Sequence, residues 1–152
     1  MPQSEPITIL IISEQAESIK LITIGLRGFF PGCFVEVAYS AEEASMWTRP
    51  NKWALILIDE ECVAGSQSSL YGELKSRAPH AATLLLSDRS ESSSALQALQ
   101  ADVDLFLSKK SPAFLTELLF CAREAIEKHQ MKAALDHSQQ RYPRRIDALR
   151  PP

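Results

Sequence analysis

Four apolar runs in this chain each stop on residues able to do chemistry. Residues 7–12 lead into Ser13 and Glu14, residues 55–58 into Asp59, Glu60 and Glu61, residues 83–86 into Ser87 and Asp88, and residues 105–107 into Ser108 and Lys109. An unbroken run of aliphatic side chains reads as a strand buried on both faces, as in the centre of a parallel sheet. Ligands of such sheets bind outside the carboxyl ends of the strands, so the residues that end the runs would meet at one edge. Asp59 taken alone reads most simply as a solvated acid opening a loop. Its convergence with Ser87 and Lys109 favours a chemical reading, because a carboxylate nucleophile, a hydroxyl donor and an ammonium are what phosphoryl transfer onto an aspartate needs. Acids clustered around one lysine repel each other unless a further cation joins them. A hard divalent ion held by carboxylates, a backbone carbonyl and water meets that need.

The rest of the chain supplies the elements that would hold these residues. Apolar positions at helical spacing predict a helix over 16–30, broken by Pro31 and Gly32. A short strand follows over 34–38, and Ser40 with Glu43 forms a capping box that starts the next helix, ended at Arg49 and Pro50. After the strand at 54–58 a Gly/Ser-rich loop at 65–69 precedes a helix that runs to about Arg77 and is stopped by Pro79. Residues 95–101 read as a further helix. The last helix starts near Ser111 and Pro112, with Leu115, Leu118, Leu119, Ala122 and Ile126 on one stripe and no clear stop before Pro143. Five strands alternating with five helices predict a doubly wound five-stranded parallel sheet with helices on both faces.

Composition narrows the classes. The 152 residues, 45% of them hydrophobic, suffice for one domain with a tail, and a net charge of −3 gives no electrostatic case for nucleic acid. Cys33, Cys62 and Cys121 lack metal-ligand spacing and are odd in number, so reduced, mostly buried thiols in a cytoplasmic protein are expected. There is no signal-peptide pattern and no apolar stretch of membrane-spanning length, so no membrane partner is expected. Residues 13–17 (Ser13, Glu14, Gln15, Ala16, Glu17) carry neither a glycine-rich phosphate loop nor a second aspartate two residues on, which disfavours a separate hydrolase or flavodoxin-like binder.

The residues at the strand ends, with Pro79 and the 104–109 stretch, resemble the receiver domain of two-component response regulators over about residues 7–129. The resemblance implies a flavodoxin-like sheet of order 2-1-3-4-5 and a cytoplasmic regulatory module, not an enzyme, phosphorylated by a sensor histidine kinase or phosphotransfer protein in the presence of Mg²⁺. Carried over by position, Asp59 is the phosphoacceptor, Ser87 the hydroxyl that bonds the phosphoryl oxygens and Lys109 the lysine that pairs with them. Glu14, Asp59 and the backbone carbonyl of Glu61 are the metal ligands, and Phe106 holds the aromatic switch position. The chain departs from the pattern at Ser13, where a first acid is usual, and at Glu14, which is longer than the usual aspartate. Asp88 replaces a small residue, and Lys110 and Val63 replace prolines. These departures keep a second reading open, a pseudo-receiver that binds partners without being phosphorylated.

Other features carry plainer readings. His80, His129 and His137 are expected to face solvent, and Trp47 and Trp53 to pack around the turn before the third strand. The basic excess over 128–150 reads as a solvated helix and linker. Residues 138–149 weakly resemble the start of a PAS domain. The expected organisation is therefore a receiver domain over 1–129 and, over 130–152, an extended helix and linker leading to a PAS-like or output module, with a possible homodimer through that helix.

Overall fold

A computed structural model describes residues 6–47, 53–62, 67–88 and 103–141. The five apolar runs form β1 (Thr8–Ile12), β2 (Phe34–Ala38), β3 (Leu55–Asp59), β4 (Ala82–Ser87) and β5 (Leu105–Ser108). They make one sheet in the order β2-β1-β3-β4-β5 with every pairing parallel. All five residues of β3 are buried, which is why its sequence lacks the alternation of a half-exposed strand. The edge strands β2 and β5 are only partly covered.

Four α-helices are described: α1 (Ala16–Phe29), α2 (Ala41–Trp47), α3 (Gln67–Arg77) and α4 (Phe114–Arg141), with a 3₁₀ turn at Glu60–Cys62. Because side chains alternate along a strand, the sheet splits its apolar residues between two cores. Ile9, Ile11, Leu55, Leu57 and Leu84 pack with Ile22 and Leu26 of α1 and Leu118, Ala122 and Ile126 of α4. Leu10, Ile12, Ile56, Ile58 and Leu85 pack on the other face with Ala44 of α2 and Leu70 and Leu74 of α3. Gly25 lets α1 approach α4, since a Cβ there would stand 3.0 Å from the Leu115 side chain.

Local signals explain the boundaries. The Glu43 N–H donates to the Ser40 hydroxyl at 3.0 Å, while the Glu43 carboxylate accepts from Tyr39 N–H at 3.0 Å, one residue earlier than the capping-box pattern predicts. Gly32 takes a φ of 80°, the left-handed turn that separates α1 from β2. The last helix begins two residues after the expected Pro112, following the Phe114 N–H to Ser111 carbonyl bond, and runs unbroken past His129. The helix expected over 95–101, the side chains of Trp47 and His137, Val63 and most of the PAS-like stretch lie outside the described residues.

Two expectations are corrected. His129 does not face solvent: it is 7% exposed, and its Nε2 lies 2.9 and 3.0 Å from the two Asp104 carboxylate oxygens at the amino edge of the sheet. Its position continues the buried stripe of α4, three residues after Ile126, so the helix turns it inward. The three cysteines are half-buried, each lying at the margin of a core and not within it. His80 is exposed and Trp53 is buried, as expected.

Candidate functional site

Strand register sets the site. Ile12 pairs with Ile58, Asp59 with Leu86, and Ser87 with Ser108, so β1, β3, β4 and β5 end level with one another at the carboxyl edge. The backbone of Lys109 is fixed there by its N–H to the Ser87 carbonyl at 2.7 Å.

Asp59 is 3% exposed and fully engaged. Its Oδ2 accepts from the Ser13 hydroxyl at 2.9 Å and from Lys109 Nζ at 2.8 Å, and its Oδ1 accepts from the Glu61 N–H at 3.2 Å. Lys109 also donates to Gln15 Oε1 at 3.0 Å and lies 3.5 Å from Asp88 and 3.7 Å from Glu61. Burial alone would lower the Lys109 pKa, but Asp59, Asp88 and Glu61 outweigh it and hold the ammonium above its ordinary value. The Glu61 carboxyl is pushed up by burial and then by Asp59 and Asp88.

Asp59, Lys109 and the Glu61 backbone are thus in direct contact, while Ser87, Glu14 and Phe106 are engaged elsewhere. Ser87 is fully buried, and its hydroxyl donates to Glu60 Oε1. Glu60 is itself 7% exposed, tucked inward by the 3₁₀ turn. Glu14 is exposed, and it is close enough to Cys62 to help burial raise that thiol to about 11. Gln15, the next residue, is the one that reaches the lysine. Phe106 is half-buried against the core on the α2 and α3 face. Among the described residues every peptide bond is trans, including the one between Lys109 and Lys110.

Sequence reasoning missed Gln15 and Glu60. Gln15 carried no signal beyond its place after β1. Glu60 carried none either: a carboxylate directly after a strand buried on both faces reads as solvated, and it is the 3₁₀ turn that tucks it inward.

The chemistry of these groups limits how the edge could hold a divalent cation. No group of three His, Cys, Asp or Glu side chains able to hold a metal occurs among the described residues. Ser13 supplies a hydroxyl where a second carboxylate would stand, and it is already bonded to Asp59. Mg²⁺ is commonly held by one or two carboxylates completed by water, and Asp59 and the Glu61 backbone are groups at this edge with oxygen donors of that kind.

No family model and no curated relative matches the chain. Solved structures do. A CheY-like response regulator receiver domain from Methanospirillum hungatei superposes with a TM-score of 0.72 at 18% identity, covering 84% of this chain and 99% of that one. A response regulator from Burkholderia pseudomallei, solved with a phosphorylated aspartic acid and a calcium ion, gives 0.67 at 23% identity over 86% and 74%. NtrX from Brucella abortus gives 0.77 at 18% identity, covering 91% of this chain and 30% of that longer protein. With its sheet order and helices on both faces, the chain has the flavodoxin-like fold of response regulator receiver domains.

Proposed function

We propose that this chain is the receiver module of a two-component phosphorelay, in which Asp59 accepts a phosphoryl group from a histidine kinase or phosphotransfer protein. The single observation that carries this reading is the buried contact of 2.8 Å between Asp59 and Lys109 at the carboxyl edge of the sheet. A carboxylate oxygen of Asp59 forms the bond to phosphorus as the bond from phosphorus to the donor breaks, and the donor group leaves with its electron pair. Lys109 then faces the added oxygens with its ammonium, the Glu61 N–H holds the second carboxylate oxygen, and Ser87 offers its hydroxyl. Asp59, the Glu61 carbonyl and Glu14 are the groups that would hold Mg²⁺, whose charge offsets that of the phosphoryl oxygens. Support comes from the Burkholderia structure, which carries a phosphorylated aspartate on this fold.

The output is a change of partner surface near Phe106 and β5. A longer protein is the natural setting for the module, as in NtrX. A PAS-like or other output module would join through α4, whose exposed Met131 and Leu135 lie four residues apart and could also pair two copies.

A second reading, an interaction module that is never phosphorylated, is favoured by the Ser13 bond to Asp59 and the Ser87 bond to Glu60. One measurement separates the two. Intact-mass analysis after treatment with acetyl phosphate and Mg²⁺ should show one added phosphoryl group, and Asp59→Asn should not acquire it. An unmodified wild-type mass after prolonged treatment supports the second reading.

A further inference from the structure

Glu60 is a charged group of the carboxyl edge that phosphoryl transfer leaves unused, and unlike Asp88 and Glu61 it is nearly as buried as Asp59. A buried carboxylate is costly unless it is hydrogen-bonded, and this one accepts from Ser87. A hydroxyl has one hydrogen to give. The hydrogen of Ser87 that a phosphoryl oxygen on Asp59 would need is therefore directed at Glu60, the residue next to the acceptor.

We infer that Glu60 is a positioning residue for Ser87: its carboxylate is a built-in anion that competes with the phosphoryl group for the Ser87 hydroxyl. The inference rests on the phosphoacceptor reading of Asp59 and deepens it. The geometry supports competition and not cooperation, because both groups are anionic acceptors and only one can take the hydrogen. It also gives the switch a local output. Once Ser87 turns to the phosphoryl oxygens, Glu60 loses its donor inside the fold, so the 3₁₀ turn at Glu60–Cys62 must move the carboxylate. Tyr71 of α3 is 6% exposed, and its hydroxyl is pushed well up, first by burial and then by Glu60, so α3 adjoins the displaced charge.

The test uses the full chain as wild type, Glu60→Leu, Glu60→Gln, Ser87→Ala and the Glu60→Leu, Ser87→Ala double variant. Binding of beryllium fluoride with Mg²⁺, a phosphoryl mimic, is measured by calorimetry. Urea unfolding of the same proteins reports the contact without ligand. Glu60→Leu should bind the mimic about tenfold more tightly than wild type, with Glu60→Gln between them, and the gain should vanish in the Ser87→Ala background. Ser87→Ala should shift the unfolding equilibrium by about tenfold in wild type and by under about twofold beside Glu60→Leu. Equal binding by wild type and Glu60→Leu, or a gain that survives Ser87→Ala, overturns the competition while leaving Asp59 as acceptor. Coupled unfolding with no binding by any of the proteins overturns the phosphoacceptor reading and the competition with it, leaving only the Glu60 to Ser87 bond. If Glu60→Leu fails to fold, Glu60→Gln alone decides by the same comparison.

Discussion

Lys109 touches three carboxylates, but only Asp59 shares its burial: their side chains are 8% and 3% exposed, against 36% for Glu61 and 47% for Asp88. Removing one member of a buried pair strands the other, typically at about 3–5 kcal/mol. Lys109→Ala should therefore lower stability by about 3 kcal/mol in urea unfolding. Asp59→Asn should cost under about 1 kcal/mol, because Lys109 keeps Gln15 and two solvated acids and a buried charge is removed. A second residue-scale expectation concerns Asp104. Burial pushes its carboxyl up, but the His129 ring, the Thr83 N–H at 2.7 Å and the Thr83 hydroxyl outweigh that and hold its pKa below the ordinary carboxylate value. A lowered folded pKa gives stability that is present above the unfolded value of about 3.9 and lost as pH falls through the folded value. The stability difference between wild type and Asp104→Asn, measured by denaturant titration, should shrink as pH drops from about 5 to about 3. A difference that stays constant over that range would remove the linkage. Asp59 and Lys109 were legible because each ends an apolar run. Glu60 and His129 were not, because a carboxylate after a strand and a histidine late in a helix look solvated until a turn or a stripe folds them inward.

At the scale of elements, strands were the easiest to read, since continuous aliphatic runs have few other uses, and β2 falls where the pattern places it. Helix starts were less certain because they depend on which backbone N–H a side chain chooses. Ser40 holds the first turn of α2 through the Glu43 N–H, so Ser40→Ala should cost about 1 kcal/mol and shorten the helix. Thermal unfolding with circular dichroism would show it, and an unchanged midpoint would mean that packing of Ala44 alone secures α2. In α4 the stripe from Leu118 to His129 is buried and Met131 and Leu135 are not. Amide exchange should thus be slow to about His129 and fast over 131–141, and uniform protection along the helix would show that its far end is covered.

The whole molecule is a sheet with two cores, and its last helix packs on one of them to about His129 and runs on with Met131 and Leu135 exposed. The doubly wound architecture followed from the order of elements alone, because parallel strands need crossover helices and both faces need cover. How the edge residues choose partners did not follow, since Ser13, Gln15 and Glu60 enter the site through turns whose geometry has no periodic signature. If two copies join along α4, changing both Met131 and Leu135 to Glu should convert a dimer to a monomer in sedimentation without altering the unfolding midpoint of the core. A wild-type chain that sediments as a monomer at high concentration removes the pairing. Among the described residues no helix is long and apolar enough to cross a membrane.

β5 is only four residues long, and a polar bond fastens it at each end. Asp104, just before it, is tied to His129, and Lys109, just after it, is tied to Asp59. A strand clamped in this way cannot slip along its axis by one residue, about 3.3 Å, unless one fastening gives. It therefore spans the sheet between two polar fastenings, one to Asp59 at the carboxyl edge and one to His129 on α4.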